Sequence, residues 1–472
     1  MKQIRKKTMQ ALALLYGLFS TECIMAKSHT NFVIILMDDM GYGDIRLNGA
    51  VGYETPNINR MQQEGMTFTH YYAPQAVSGA SRAGLLTGCY PNRIGLSGAP
   101  FPGCPTGISD SEMTIAEVLK QNGYACAVFG KWHLGDNVQF LPLRHGFDEF
   151  YGIPYSNDMW PGHPTYKFPD LPLIEGDKVI AKNPDQSRFT TDFTERAVNF
   201  ISKNKEKPFF LYLAHPMPHV PLFVSDKFKG KSEAGLYGDV MMELDWSIGE
   251  ILKKLRDEKL DENTLVIVIS DNGPWINYGN HAGNTGGLRE GKGASFEGGQ
   301  RVPCIMQWKG HIPEGSICSR LVSGIDFLST FAEISASPMP SLKTDGVSLV
   351  PLLEGDVSAC PRKYFSYYYR ENDLEAVTDG HFKLVFPHKY RSYEGFMPGM
   401  NGHPGKVNEF RALEEKMLFD LVRDPGERYN VIDMYPEKVK ELENYAEIVR
   451  KDLGDNLTGN KGAGRRKVGE VQ

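Results

Sequence analysis

The chain has 472 residues, of which 41% are hydrophobic and 23% charged, with a formal net charge of -6. That length exceeds what one core usually serves, so two domains, or one large domain with a satellite, are expected. The charge balance excludes an electrostatic case for nucleic-acid binding, and an anionic substrate would need a local basic cluster.

Residues 1–26 read as a secretory signal peptide. Lys2, Arg5, Lys6 and Lys7 form its basic region, Ala11 to Phe19 is apolar but too short to span a bilayer, and Ala26 is a cleavage position. Cys23 suggests a lipoprotein alternative, which Glu22 directly before it disfavours. No later segment is long and apolar enough for a stable membrane span, so the expected location is the periplasm or beyond. Six of the seven cysteines follow the leader without a C-x-x-C pair, which speaks against zinc and leaves disulfide pairing unassigned.

Asn31 to Met37 is a continuous apolar run, as a buried parallel strand reads, and it ends in Asp38-Asp39-Met40-Gly41-Tyr42-Gly43-Asp44. Adjacent carboxylates at a strand end are costly unless solvated or bound to a cation. Tyr71 to Gln75 reads as a loop leading to Ser78-Gly79-Ala80-Ser81-Arg82. Ser81 is expected to cap a short helix through Gly84 to Leu86, which leaves Ser78 just before a helix N-terminus. Backbone N–H groups there favour a developing anion, although such a pentapeptide on its own is usually a turn.

Three more strands follow the first pattern. Tyr124 to Phe129 ends in Gly130-Lys131-Trp132-His133-Leu134-Gly135; Pro208 to Ala214 ends in His215 and His219; Thr264 to Ser270 ends in Asp271-Asn272-Gly273. Helices are expected at Met113–Gln121, Phe193–Asn204, Leu236–Lys259 and Asp326–Ile334, the third with a core stripe from Met241 to Leu255. This alternation predicts an α/β fold, a large doubly wound, mostly parallel sheet, with ligands at the carboxyl ends of its strands. The prolines between 338 and 361 mark a change of regime, and a catalytic part, 27–355, is expected to give way to a C-terminal part, 356–472. Short strands at Lys363–Tyr369, Phe382–Phe386 and Leu418–Leu421, a turn at Asp379-Gly380 and a terminal helix, Pro436–Leu453, suggest a smaller α+β domain with an antiparallel sheet. The polar tail from Gly454 is expected to fray.

Asp38, Asp39, Asp271 and Asn272 are hard oxygen donors suited to Ca²⁺ or Mg²⁺. Arg82, Lys131 and Lys292, the last in Gly291-Lys292-Gly293, supply positive charge for a tetrahedral oxyanion ester. Lys292 alone would pass for a solvated loop lysine. His133 and His219 can move protons near neutral pH, or serve as structural residues. These residues point to hydrolysis of a phosphate or sulfate ester with a metal and an activated hydroxyl.

In order, the motifs Asp38 to Asp44, Ser78 to Gly88, Gly130 to Gly135, His215-x-x-x-His219, Ser270 to Gly273, Gly291 to Gly293 and Glu297-Gly298-Gly299-x-Arg301-Val302-Pro303 resemble those of formylglycine-dependent sulfatases in the alkaline phosphatase superfamily. Gly152 to Ser156 is similar to arylsulfatase A, and the likeness continues through Thr378-Asp379-Gly380-x-x-Lys383 and Leu418 to Pro425. The resemblance implies an alkaline phosphatase-like fold and a sulfuric ester hydrolase. It implies that Ser78 is oxidised to formylglycine (3-oxoalanine) by an anaerobic serine-type sulfatase-maturating enzyme; Ala80 stands where proline is usual. One hydroxyl of the hydrated aldehyde attacks sulfur, and deprotonation of the other expels sulfate, an exit a plain serine lacks.

By the same resemblance one Ca²⁺ per chain is held by Asp38, Asp39, Asp271, Asn272 and the modified Ser78. Arg82 holds the hydrate, Lys131 and Lys292 bind sulfate oxygens, His133 assists elimination, and His219 with Lys292 protonates the leaving alcohol. Ser156, Trp160 and His163 are candidate substrate contacts, in a cleft wall that also draws on Tyr155, Asn157, Asp158, Trp275, His281, Tyr390, Arg391 and His403. The expected substrate is a sulfated mono-, oligo- or polysaccharide, with a galactose or N-acetylgalactosamine O-sulfate of host glycans or glycosaminoglycans suggested by the likeness to arylsulfatase A. The alternatives are a phosphodiester or phosphonate hydrolase of the same superfamily and an inactive glycan-binding protein.

Overall fold

The computed structural model describes residues 29–471. The expected leader, with Cys23, lies outside them. Ten strands form the main sheet: β1 (Asn31–Met37), β2 (Met66–Phe68), β3 (Ala125–Lys131), β4 (Glu149–Ile153), β5 (Pro172–Glu175), β6 (Lys178–Lys182), β7 (Phe209–Ala214), β8 (Thr264–Ser270), β9 (Cys304–Gln307) and β10 (Ser316–Cys318). Their spatial order is β10-β2-β9-β8-β1-β7-β3-β4-β5-β6. The five central strands, β8, β1, β7, β3 and β4, run parallel. Antiparallel pairing flanks them at β8–β9 and at β4–β5.

The apolar run of β1 has no polar face because both faces are covered. Phe32, Ile34 and Leu36 enter one core; Val33, Ile35 and Met37 enter the other. The first core is completed by α3 (Ile115–Lys120) and α6 (Phe327–Ser335), the second by α4 (Phe189–Asn204) and α5 (Gly235–Asp257), so helices cover both faces as expected for a doubly wound sheet. Each such side chain, fully buried, contributes about 1.5–3 kcal/mol. α1 (Pro56–Glu64) lies near the β2 edge, and α2 (Ser78–Thr87) leads from the loop after β2. Thr114 and Glu117 close a capping box at the start of α3, at 3.2 and 2.8 Å.

A separate antiparallel sheet follows, in the order β11 (Phe365–Tyr369), β12 (Asp373–Thr378), β13 (Phe382–Val385) and β16 (Met417–Asp420). The hairpin β14 (His388–Ser392) with β15 (Asn408–Leu413) stands beside it. α7 (Pro436–Leu453) lays Leu442, Ala446 and Leu453 into a third core, which Tyr72, Phe296 and Ile325 of the larger part also enter.

Two local expectations need correction. Ser81 does not cap α2: the helix starts at Ser78 after an extended Val77, and Ser81 donates its N–H to the Val77 carbonyl at 3.0 Å. The carbonyl of Gly98 takes the Ala80 N–H at 2.8 Å, so a distant loop does what a capping side chain would do. The tail does not fray either. Asp455 is fully buried and takes Arg450 at 2.8 Å, Arg466 pairs with Glu112 at 2.6 Å, and Gly469–Glu470 adds antiparallel to Thr106–Gly107. Glu112 and the Thr106–Gly107 strand are remote in sequence, so polar composition alone hides them. The six described cysteines are all free thiols, and no described helix is long and apolar enough to cross a membrane.

Candidate active site

All five parallel strands deliver side chains to one carboxyl edge. β1 ends at Asp38 and Asp39, β8 at Asp271 and Asn272, β3 at Lys131 with His133 just beyond, β7 before His215 and His219, and β4 before Ser156. Two of these residues take left-handed backbone, Asp39 at φ 65° and His133 at φ 66°, uncommon for non-glycine residues and typical of strained functional turns. Gly130 sets up Lys131: it has φ 115°, and a Cβ there would meet the Ala214 carbonyl oxygen at 1.9 Å.

Ser78 is the first residue of α2 and is buried. Its hydroxyl donates to Asp38 at 2.8 Å and lies 3.2 Å from Asn272 Oδ1. One turn on, Arg82 donates to Asp271 at 2.9 Å and to the Lys131 carbonyl at 2.7 Å. Lys131 Nζ reaches Asp38 at 2.5 Å and Ser156 Oγ at 3.1 Å. Lys292 Nζ reaches Asp39 at 2.8 Å, and Tyr393 holds the Lys292 carbonyl at 2.5 Å. Asn272 donates to Asp39 at 2.7 Å, and the Asp39 N–H donates to Asp271 at 3.2 Å. Burial favours the neutral acid at Asp38, but Lys131 and then Arg82 hold its carboxyl well below the usual range. Asp271 moves the other way, to about 6, through burial and the neighbouring Asp38 charge.

Carboxylate oxygens from Asp38, Asp39 and Asp271, the Asn272 amide oxygen and the Ser78 hydroxyl thus share one buried pocket. This all-oxygen inventory fits a hard divalent cation. Asp38, Asp39 and His219 also lie close enough to share an ion, their donor atoms within 4.8 Å of one another. His219 Nε2 stands 3.6 Å from Asp39, and its Nδ1 faces the Val220 carbonyl. His133 is held neutral by burial and by the charges of Lys131 and Arg82. Its Nε2 lies 3.2 Å from the Pro100 carbonyl, so Nε2 carries the proton and the unpartnered Nδ1 carries the lone pair. His215 is structural, buried against Ser247 Oγ at 3.0 Å.

Above this cluster lies a cleft of about 410 Å³ lined by Ser78, Lys131, His133, Ser156, His219 and Lys292. Of the cleft-wall residues expected from sequence, Asp158, His163, Trp275 and Arg391 line it. Trp160 does not: its ring packs edge-on against Phe223. Asn157 is fully buried on Gln186 and the Pro221 carbonyl, and the Tyr155 hydroxyl bonds the Asp170 carbonyl. His281, Tyr390 and His403 are likewise not among the lining residues. Sequence reasoning missed Phe101, Tyr166, Phe168, Tyr369 and Glu409. Glu409 carried no signal, since only the register of β14 with β15 brings it to Arg391 at 2.9 Å.

Comparison with known proteins places the chain among relatives over nearly its whole described length. The sulfatase family profile matches residues 30–335, and profiles described as the C-terminal region of aryl-sulfatase and the C-terminal part of N-sulphoglucosamine sulphohydrolase match 361–463 and 291–395. The chain is similar to N-acetylgalactosamine-6-sulfatase of Canis lupus familiaris, at 36% identity over 89% of this chain and 85% of that protein. It is 35% identical to human arylsulfatase A over 85% of this chain and 83% of that protein. Among solved structures, the PsFucS1 sulfatase from Pseudoalteromonas sp. superposes with a TM-score of 0.80 at 25% identity, covering 95% of this chain and 94% of that one.

Proposed function

The chain belongs to the sulfatase family, and from that premise we propose that it removes sulfate from a sulfated carbohydrate, with galactose or N-acetylgalactosamine O-sulfate as the sugar. The observation that carries this reading is the meeting of Ser78, Lys131 and Lys292 on one buried carboxylate cluster beneath a cleft with an aromatic wall. Polar groups among aromatic faces suit a sugar. The similarity to a protein named for N-acetylgalactosamine 6-sulfate favours that class of sugar.

In this reading Ser78 is converted to formylglycine by an anaerobic serine-type maturating enzyme and supplies the nucleophile. Asp38, Asp39, Asp271, Asn272 and residue 78 would hold one Ca²⁺, which would supply positive charge for the sulfate oxygens. Arg82 acts on the cage, tying Asp271 to the carbonyl of Lys131, while residue 78, one turn before it, rests on Asp38 and Asn272. Lys131 and Lys292 bind sulfate oxygens, and Ser156 orients Lys131. His133 accepts a proton at Nδ1 when sulfate is expelled from residue 78. His219, with both ring nitrogens protonated and Nδ1–H given to the Val220 carbonyl, delivers the Nε2 proton to the leaving alcohol and is left neutral. Export through the 1–26 leader places the enzyme where it meets extracellular polysaccharide.

The test is sulfate release from sugars sulfated at defined single positions, using protein coexpressed with a serine-type maturating enzyme. Release from one member is expected, with a mass spectrum of the Ser78 peptide reporting the aldehyde. Ser78→Ala should abolish turnover while the protein stays folded; retained turnover would overturn the formylglycine mechanism. Turnover of phosphodiesters without sulfate esters would favour a different hydrolase of the superfamily. His219→Ala should lose on the order of 100-fold on sugar sulfates and much less on activated aryl sulfates, whose leaving groups need no proton. Equal losses on both would remove His219 from that role.

A further inference from the structure

We propose that Asp158 and His163 form a clamp that reads one free hydroxyl on the sugar carrying the scissile sulfate, an inference that rests on the carbohydrate reading above. Both residues line the cleft together with Ser78, Lys131 and Lys292. Asp158 lies two residues beyond Ser156, the residue that touches Lys131 Nζ. The clamp therefore stands at the mouth of the sulfate pocket, within reach of the same sugar ring.

The protonation of His163 follows from its neighbours. Its Nδ1 accepts the backbone N–H of Thr165 at 3.1 Å and of Tyr166 at 3.0 Å. A nitrogen that accepts two N–H groups carries a lone pair, so the proton of the neutral ring sits on Nε2. The rings of Tyr166 and Phe168, 5.2 and 5.3 Å away, hold the imidazole in place. Nε2–H then faces Asp158 Oδ2 across 3.9 Å, too far for a hydrogen bond. Asp158 Oδ1 is buried without a partner as well. The two side chains are only 8% and 14% exposed and open onto the cleft, so Nε2–H and Oδ2 are free to bond to whatever occupies it.

A directed donor and an unpaired carboxylate, side by side at 3.9 Å, complement a group seated across them that both accepts and donates. A hydroxyl does both; a sulfate ester, a carboxylate or an ether oxygen cannot donate. The carboxylate also repels a second anion at that position. The stacked pair Phe101–Phe168, with centroids 6.0 Å apart, adds an apolar surface beside the clamp for the C–H face of a ring. The site is therefore built for a sugar that is sulfated at one position and bears a free hydroxyl at a second.

The experiment compares wild type, Asp158→Ala and Asp158→Asn on the sulfated sugar that wild type cleaves, on its analogues deoxygenated at each free hydroxyl in turn, on its doubly sulfated counterparts, and on an aryl sulfate without hydroxyls. One deoxygenation should lower wild-type kcat/KM by on the order of 100-fold, the scale of a hydrogen bond to a charged group. The same deoxygenation should cost Asp158→Ala less than about threefold, since the interaction is already gone. Asp158→Asn should gain at least about tenfold, relative to wild type, on the sugar doubly sulfated at that position, because a repelling charge is gone. Folding defects are separated by the ratio of sugar to aryl sulfate turnover, which a general loss of active protein does not move. The inference is overturned if every deoxygenation costs wild type and Asp158→Ala the same, or if Asp158→Ala lowers sugar and aryl turnover alike. If wild type cleaves aryl sulfates but no sulfated sugar, the carbohydrate reading falls first and takes the clamp with it.

Discussion

Two clusters of buried carboxylates and ammonium groups lie in this chain, one under the cleft and one at the joint between the two sheets. At the joint, Lys383 Nζ sits 3.1 Å from Glu297 and 2.9 Å from Glu427, and none of the three side chains is exposed. Their remaining valences are closed from within the fold: Tyr72 and Tyr367 both donate to Glu297 at 2.8 Å, and the Glu297 N–H donates to Glu427 at 2.7 Å. Under the cleft, Lys131 and Lys292 are held by carboxylates on one side, while the other side faces the cleft. The same ionic chemistry thus makes a closed joint where hydroxyls complete it, and a binding surface where they do not. A buried ion pair is weak evidence for stability in itself; what its partners leave open decides its use.

The largest effects should separate the two clusters. Lys383→Met leaves Glu427 without a cation and Glu297 with only Arg301 at 3.6 Å, and should cost about 3–5 kcal/mol in urea unfolding, with turnover per folded molecule nearly kept. Lys131→Met should lower kcat by on the order of 10³. It should destabilise less, because Arg82 at 3.4 Å and the Ser78 hydroxyl still face Asp38. Equal losses of stability and of turnover in both variants would erase the distinction.

Cation removal sharpens it further. If the cluster binds Ca²⁺ as proposed, the folded state should gain about 2.7 kcal/mol with Ca²⁺ at about 100 times its dissociation constant, read as a fall in Tm on adding a chelator. Lys383→Met should show the same calcium increment as wild type, since Lys383 is not among the proposed ligands, whereas Asp271→Asn should lose most of it. A wild type whose Tm ignores both calcium and chelator would remove the metal from the cluster.

The same contrast explains what was legible in the sequence. β1 and β8 were read to the residue because both faces of the central sheet are covered, so their runs are unbroken and stop at Asp38 and Asp271. The edge residues of β1, β3, β7 and β8 could be grouped because each of these strands is recognisable in the sequence. β4 escaped because its short run contains Gly152, and β14 with β15 escaped because their alternation is polar and their pairing spans a long loop. With that hairpin went Glu409 and its salt bridge to Arg391. Trp160 was expected in the cleft on side-chain type alone, and packing on Phe223 decided otherwise. The joint was visible only as scattered motif residues, Glu297 and Lys383, whose meeting depends on how the two sheets dock.

A third test takes the joint by pH. Burial, eased by Lys383 and worsened by Glu297, raises the Glu427 carboxyl from 4.5 to about 7. A raised acid binds its proton more tightly in the folded state, so its contribution is fully present below about pH 4.5 and is lost as pH climbs to about 7. Glu427→Gln carries no such proton, so its stability relative to wild type should rise across that window and level off above it. Urea unfolding of both proteins at pH 5, 6 and 7 reads this directly. The Asp38 cluster faces the cleft and is untouched by the substitution, so turnover should keep its wild-type pH profile. A stability difference that stays flat with pH would mean that Glu427 is already ionised at pH 5 and that Lys383 binds both carboxylates as anions.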